Sequence, residues 1–440
     1  MQTIRVLLLG LALSLLAALP ARAVTILRDA DLEYGLRQLA TPVLRAANLS
    51  PSQVRILIVD DPTLNAFVTD TQHIFVNSGL ILQLDSAEAM QAVLAHETAH
   101  IANGHISRRL ANMRSARTAA GLGMALAAAA AASGANGKAA IGLGIGVQSS
   151  ALRLLFAHTR AEESSADLSS VRYLARAGID PQGAVDVQEM FKGQEVLAET
   201  RQDPYMRTHP FSRDRFRALQ GQVAGVGKSF DPNPAADYWF ARLQGKLSAY
   251  KRAPNWTQRR AGDSYSQDIA LLRQAVSYHR QSDLARALKA VDGAIALRGS
   301  DPFLYDLKAE ILLESRKAAE SARVYAQAVK LSKDDPLILG GYGRALLATG
   351  QFDAALKVLE AARARDFRDP RILRDLAVAY AKTGQMGLAS VVTAERYALL
   401  GSLKDAEIHA KRAIATLPEG SGPWNRAQDV LSAAQQAKRR

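Results

Sequence analysis

The sequence predicts an α+β fold in two parts, a mainly helical domain with a small β-sheet followed by an all-α solenoid. Two observations predict it. Short runs of β-branched residues lie between helical apolar patterns in the N-terminal part. From about residue 265 onward, small residues and prolines recur every 34 residues. The length of 440 residues is too great for one ordinary core and suits two or three domains.

The composition is that of a folded protein with a basic surplus. Hydrophobic residues make up 48% and charged residues 22%, and the net charge is +13. No nucleic-acid-binding motif accompanies the surplus, and aromatic residues make up only 6%. We therefore expect no nucleic-acid partner and favour an envelope protein or a lipid surface. The absence of cysteine excludes disulfides, cysteine metal ligands and cysteine nucleophiles.

Residues 1–23 are predicted to be a secretory signal peptide that is removed before Val24. Arg5 supplies the positive charge, an apolar run follows it, and Ala-Arg-Ala at 21–23 fits the small-x-small cleavage pattern. The apolar run of about 14 residues is too short for a comfortable transmembrane helix. We therefore expect an exported protein of the periplasm.

The region 24–220 is predicted to be one domain that holds a small sheet among helices. Apolar residues at helical spacing and β-branched runs indicate the elements in turn. They are a helix at 29–50, strands at 54–59, 66–68 and 73–76, and helices at 79–84 and 86–104. The second and third strands are close enough in sequence to form a hairpin.

The segment 118–152 differs from its surroundings because it consists mostly of Ala, Gly, Leu and Ile. A polar break at 133–138 divides it into apolar halves of about 11 to 14 residues, each short of the roughly 20 needed to cross a bilayer. We interpret it as a helical hairpin that packs on the neighbouring domain. The alternative is a contact with a membrane surface, although such helices usually carry Lys or Arg on a polar face.

The region 265–440 is predicted to be a solenoid of tetratricopeptide repeats (TPRs). Residues of the same kind lie 34 positions apart in three series: Ala287, Ser321, Ala355 and Ala389; Ala294, Ala328 and Ala362; Pro302, Pro336 and Pro370. Small residues let paired helices approach closely, and proline ends one helix and opens the turn to the next. The register fails at Arg396, and a further helix pair is expected after Gly401. Residues 221–264 are rich in Gly, Pro and basic residues and are predicted to be a linker.

The sequence His96-Glu97-Thr98-Ala99-His100 is an HExxH motif inside a helical pattern. A spacing of four places both imidazoles on one helix face, where they can bind one Zn²⁺. Glu97, next to the first histidine, is the expected general base. The alternative is that both histidines only cap polar groups in a core.

A catalytic zinc site needs a third protein ligand, and without cysteine it must be His, Glu or Asp. The segment 160–167 reads as the start of a second helix on which Glu163 and Asp167 share a face. Glu163 can complete a site with two histidines and one glutamate. Asp167 can accept the second ring N–H of a liganding histidine and so fix its tautomer.

These motifs together resemble the M48 family of metallopeptidases. The resemblance rests on 65–109, 160–181 and 208–215, and the signal peptide and TPRs are similar to the periplasmic branch of that family. It implies a zincin-type domain with one zinc ion per chain. It also implies that His96, His100 and Glu163 bind the metal and that Glu97 is catalytic.

The resemblance extends to His209, which precedes Pro210 and matches, with Arg215, an HPxxxxR element of the family. It implies that His209 lies over the metal and can occupy the fourth coordination position. The residues alone indicate only a loop histidine, and a contact with the developing oxyanion is a further alternative. The remaining histidines are interpreted as structural or exposed: His73, His105, His158, His279 and His409.

Two functional hypotheses follow. In the first, the chain is a periplasmic zinc endopeptidase that degrades misfolded or misassembled envelope proteins, with strand 74–76 as an exposed edge to which substrate adds. The resemblance further implies chaperone-like activity in outer-membrane protein assembly and contact with the assembly machinery through the TPRs. In the second, the chain is a TPR chaperone or scaffold whose protease site is normally latent. A zinc amidase of the cell wall fits less well because the motif resembles that of a peptidase.

Overall fold

The computed structural model describes residues 25–108, 111, 160–194, 205, 209, 212–333 and 335–438. The predicted signal peptide at 1–23 and the predicted helical hairpin at 118–152 lie outside the described residues. Within the described ranges, no helix combines the length and the apolar character that a bilayer span requires.

The N-terminal domain is helical around one small sheet, as the sequence predicts. Its elements are β1 Ile26–Leu27, α1 Ala30–Ala46, β2 Arg55–Val59, β3 Ala66–Val68, β4 His73–Asn77, α2 Ser78–Gln83, α3 Ala87–Ala102, α4 at 160–177, α5 Gln182–Met190 and α6 Arg213–Ala224. Helix α1 begins at the side chain of Asp29, which accepts a hydrogen bond from the Leu32 N–H. Helix α3 begins in the same way at Ser86.

The sheet has the order β1-β2-β4-β3. β4 pairs with β2 in parallel and with β3 in antiparallel register, so the predicted hairpin of β3 and β4 is confirmed. The prediction that residues 74–76 form an exposed edge is wrong, because β4 has a partner strand on both sides. The edge strands are β1 and β3, and β1 has too few residues to give a clear sequence signal.

The predicted linker at 221–264 is wrong for most of its length. It contains helix α7 (Pro234–Lys251) and helix α8 (Pro254–Arg260). Three apolar residues of α7, Phe240, Leu243 and Leu247, are buried in the same core cluster as the sheet and helices α1 and α3. The Pro, Gly and basic residues that suggested a linker lie mainly at the ends of these helices or on their exposed sides.

The C-terminal part is the predicted solenoid of paired helices. They are α9 Gln267–Arg280, α10 Leu284–Leu297, α11 Pro302–Glu314, α12 Ala318–Ser332, α13 Pro336–Ala348, α14 Phe352–Arg365, α15 Pro370–Lys382, α16 Met386–Leu399, α17 Leu403–Thr416 and α18 Gly422–Lys438. Ala287, Ser321 and Ala355 are completely buried, as close helix approach requires. The repeated prolines begin α11, α13 and α15, each directly after an aspartate that caps the helix.

The start of the chain is packed against the solenoid. Ala30 belongs to the solenoid's core cluster, and the ring of Tyr34 lies 4.9 Å from that of Phe303. Residues 28–30 and the first helices of three successive pairs, α11, α13 and α15, line a cavity of about 60 Å³ between them. The N-terminal segment therefore covers part of the surface that these helices share.

Ion pairs join the two parts at this contact. Arg28 lies 2.7 Å from Asp366 and 3.2 Å from Asp369, and both aspartates are almost completely buried. Arg55 of β2 binds Asp366 as well, at 2.8 Å. Burial alone would raise the pKa of Asp366, but Arg55 and Arg28 outweigh it and lower the pKa to about 2. The aspartate is therefore ionised and held between two arginines.

Asp366→Asn removes the charge that both arginines share. We expect the free energy of unfolding to fall by on the order of 2 kcal/mol, below the value typical of a broken buried pair, because Arg28 keeps Glu33 and Asp369. The lowered pKa means that this contribution is present above about pH 4 and is lost as the pH falls through about 2.

Denaturant unfolding measures the free energy of unfolding of each variant. Glu320→Gln, in a half-exposed pair with Lys317, is the control and should cost at most about 0.5 kcal/mol; equal losses would contradict the role given to Asp366.

Candidate metal centre

Helix α3 brings the two histidines of the HExxH motif together inside the protein. Both His96 and His100 are buried, and their rings lie 4.8 Å apart on one face of the helix. Their Nε2 atoms face each other at 3.1 Å. Two imidazole nitrogens thus point into one small space, as the spacing of four predicts.

Helix α4 adds a carboxylate to this space. Glu163 is buried, with Oε2 lying 3.3 Å from His96 Nε2 and Oε1 lying 3.2 Å from His100 Nε2. Four residues each offer one atom that could bind the same metal ion: His96, His100, Glu163 and His209. Glu162, the neighbour of Glu163 in sequence, is not part of this group. These four atoms all lie within 4.8 Å of one another.

His209 is held over the group from a separate segment. Its Nδ1 lies 3.0 Å from Glu163 Oε2, and its Nε2 donates towards the carbonyl oxygen of Ala66 in β3 at 3.1 Å. Its backbone N–H donates to the Tyr205 carbonyl at 2.7 Å, and the Tyr205 N–H donates to the Leu64 carbonyl at 3.1 Å. Tyr205 and His209 are therefore each bound to a backbone carbonyl, one just before β3 and one at its first residue.

A second layer of polar side chains surrounds these four candidate ligands. Asp167 Oδ1 lies 3.1 Å from His96 Nδ1, so the two nitrogens of that ring face Asp167 and the group respectively. Arg215 binds Asp167 through two nitrogens and also lies 3.1 Å from Glu163 Oε2. Gln188 donates to Asp167 at 3.3 Å. The carboxylates of Glu163 and Asp167 thus share one arginine, whose side chain is 8% exposed.

The ionisation of the group follows from these contacts. Burial would lower the pKa of His96, but hydrogen bonds to Asp167 and Glu163 outweigh it and raise the pKa to about 10. Burial lowers the pKa of His100 to about 3. Burial would raise the pKa of Glu163, but His209 and the neighbouring hydrogen bonds hold it well below its usual range. A metal ion that binds through His96 must therefore displace a proton from that ring.

The donor set fits a zinc ion. Two imidazoles and one carboxylate are a usual set of three protein ligands for catalytic zinc, and an imidazole is a normal fourth. Glu163 is held anionic by its surroundings, which is the form that binds a metal. Asp167 lies behind His96, where an acceptor fixes the orientation of a metal-binding ring.

Glu97 lies beside the group. It is completely buried, and its Oε1 lies 3.3 Å from His209 Nε2, but it is not among the four grouped ligand atoms. This position suits a group that moves a proton next to a metal and does not bind it.

Seven residues of this centre are predicted from the sequence, and three further side chains contact them. Gln188 and Tyr205 carry no signal in the sequence. His105, interpreted above as structural or exposed, is buried with its Nδ1 at 3.0 Å from His100 Nδ1. The available signal was a histidine five residues beyond the second histidine of the HExxH motif and directly after a glycine.

Comparison with known proteins finds family matches for both parts of the chain. Residues 27–223 match the model of peptidase family M48, and residues 312–377 match a tetratricopeptide repeat model. The beta-barrel assembly-enhancing protease of Yersinia pestis is 22% identical over 387 residues, which cover 86% of this chain and 78% of that protein. Its counterpart in Escherichia coli K12 is also 22% identical, over 87% of this chain and 78% of the relative. The mitochondrial metalloendopeptidase OMA1 of Schizosaccharomyces pombe is 26% identical over 183 residues, 40% of this chain and 49% of that protein.

Glu163→Ala is expected to reduce metal affinity more than Asp167→Ala does. The first change removes an atom that faces both histidines, whereas the second removes only the acceptor behind His96, which typically costs about 10- to 100-fold. Chelator competition on the purified chain measures both. Glu162→Ala, which alters the adjacent buried glutamate, is the matched control; if it proved the most damaging of the three, the third ligand would have to be reassigned.

Proposed function

Since this chain carries a peptidase family M48 domain followed by tetratricopeptide repeats, we propose that it is a zinc endopeptidase that acts on misfolded or misassembled proteins of the bacterial envelope. The observation that supports this most directly is the buried group of two imidazoles and one carboxylate with Glu97 beside it. We assign one zinc ion per chain to His96, His100 and Glu163. When bound, zinc would acidify the attacking water and polarise the scissile carbonyl.

The side chains around the group then have separate tasks. Glu97 takes a proton from the attacking water and passes it to the leaving amine. Asp167 holds His96 through its Nδ1, and Arg215 holds both Asp167 and Glu163 in place. The burial of the whole group limits other water, which strengthens each of these interactions.

We propose that β3, and not β4, is where an extended substrate adds to the sheet. Among the described strands, β3 pairs only with β4, and the Asn65 carbonyl on that side accepts from the Asn77 N–H. Because successive residues of an extended chain face opposite ways, the carbonyls of Leu64 and Ala66 point away from β4. Pairing through such backbone groups confers affinity with little sequence preference, which suits a peptidase for misfolded proteins.

The same two carbonyls support a latent resting state. Leu64 accepts from the Tyr205 N–H and Ala66 accepts from His209 Nε2, so Tyr205 and His209 occupy the acceptors that a substrate strand would need. His209 Nδ1 also lies among the candidate ligand atoms. We propose that His209 fills the fourth position in the resting enzyme and that Tyr205 and His209 must move before substrate binds.

We propose a periplasmic location and a part in outer-membrane protein assembly. Both rest on the relatives named as beta-barrel assembly-enhancing proteases and on the predicted signal peptide. The TPRs would bring the enzyme to the assembly machinery and add chaperone-like activity. The alternative, a TPR scaffold with a permanently closed protease site, is supported by the same contacts of Tyr205 and His209.

Glu97→Gln is expected to abolish cleavage of unfolded casein while zinc stays bound. Loss of a general base typically slows a reaction by about 10² to 10⁴, and the amide keeps the size of the carboxylate. Peptide release and zinc content are measured on the same preparation. Glu88→Gln, in the first turn of the same helix, should leave both unchanged. Loss of zinc from Glu97→Gln would mean that Glu97 is a ligand, and unchanged cleavage would favour the scaffold.

His209→Ala is expected to cleave casein faster than the wild type, because it frees both the fourth position and the Ala66 carbonyl. Whether cleavage becomes faster or slower decides the role of His209. If His209 stabilised the developing oxyanion instead, its loss would slow turnover by roughly 10² or more. Initial rates on zinc-replete protein, with His73→Ala as a histidine control outside the centre, distinguish the two.

A further inference from the structure

His105 contacts His100 at the ring nitrogen that does not face the other candidate ligands. It is completely buried, and its Nδ1 lies 3.0 Å from Nδ1 of His100. The two rings are 5.0 Å apart and nearly perpendicular, at 74°. This is a hydrogen-bond geometry and not a stacking contact, so one nitrogen donates and the other accepts.

A break in the helix makes the contact possible. On a continuous α-helix, residues five apart are offset by about 140° around the axis, and His105 would point away from His100. Instead α3 ends at Ala102, Gly104 takes a φ of +70°, and a helix resumes at 105–108. Among the described residues other than its two chain neighbours, none has an atom within 4 Å of a Cβ placed on Gly104, so the backbone conformation favours glycine there.

The metal-facing nitrogen of His100 determines which atom must donate. His100 Nε2 lies among the ligand atoms, close to His96 and Glu163. A neutral imidazole that binds a metal through Nε2 carries its proton on Nδ1. The Nδ1–H of His100 must then donate, and His105 Nδ1 is the acceptor in line with it.

Resting on the zinc site proposed above, we propose that His105 is a positioning residue for that metal. Its Nδ1 accepts the Nδ1–H of His100 and holds the ring in the tautomer and orientation that presents Nε2 to zinc. His96 has a different supporting acceptor, the carboxylate of Asp167. The two histidine ligands of one motif are thus held by an anionic and a neutral partner, which makes His100 the more weakly polarised of the two.

The test compares side chains at position 105 that can and cannot accept this hydrogen bond. Zinc affinity of the full chain is measured by chelator competition for the wild type, His105→Phe and His105→Asn. Phenylalanine fills the space without an acceptor, and we expect a 10- to 100-fold loss of affinity. The asparagine side-chain oxygen can accept the same hydrogen bond, and we expect affinity within about threefold of the wild type.

Two controls separate positioning from folding. His73→Phe removes another buried histidine, one that binds Asp70 away from the centre, and should leave zinc affinity unchanged. Thermal unfolding of the metal-free variants reports the fold, and His105→Ala carries the same expectation if His105→Phe does not fold. Wild-type affinity in His105→Phe, or an equal loss in His105→Asn, overturns the inference. A wild type that binds no zinc overturns the proposed function itself, and the inference with it.

Discussion

The structure depends on the burial of ionisable side chains beside helix α3. His96, Glu97, His100 and Glu163 are all within the protein, where an isolated charge would cost several kcal/mol. Such groups are tolerated only when each charge has partners in fixed geometry. The positions of α4, of Arg215 on α6 and of His209 meet that requirement, and they also shape the candidate metal centre.

The same principle joins the two parts of the molecule. Helix α7 carries Arg242 and Lys246, both almost completely buried, which bind Asp31 and Asp29 at the start of α1. Arg242 also binds Asp301, the residue that caps the first proline-led helix of the solenoid. One helix thus neutralises carboxylates of both parts. The peptidase domain therefore extends structurally beyond residue 223, where the family match ends.

The sequence predicted most of this because its strongest signals are local. The HExxH spacing, the Glu163 and Asp167 pair and the 34-residue period depend on helix geometry within a few turns, and the structure has those elements. Contacts between distant parts of the sequence were harder to predict. β4 looked like an edge because its partner β2 lies across a parallel connection, and α7 looked like a linker because its apolar residues are buried by distant elements. His105 was missed because the glycine before it is only a weak sign of the helix break that turns its side chain inward.

The contact between Arg28 and Asp366 spans 338 positions of the chain. A ribosome synthesises the N-terminal end first. Arg28 is therefore made well before its partner Asp366, which follows only after several repeats. Contacts of such wide sequence separation form slowly, because a long loop must close before they contribute. The junction between the start of the chain and the solenoid is therefore expected to be completed late, after most of the solenoid exists, although the residues of the candidate metal centre lie between 96 and 215.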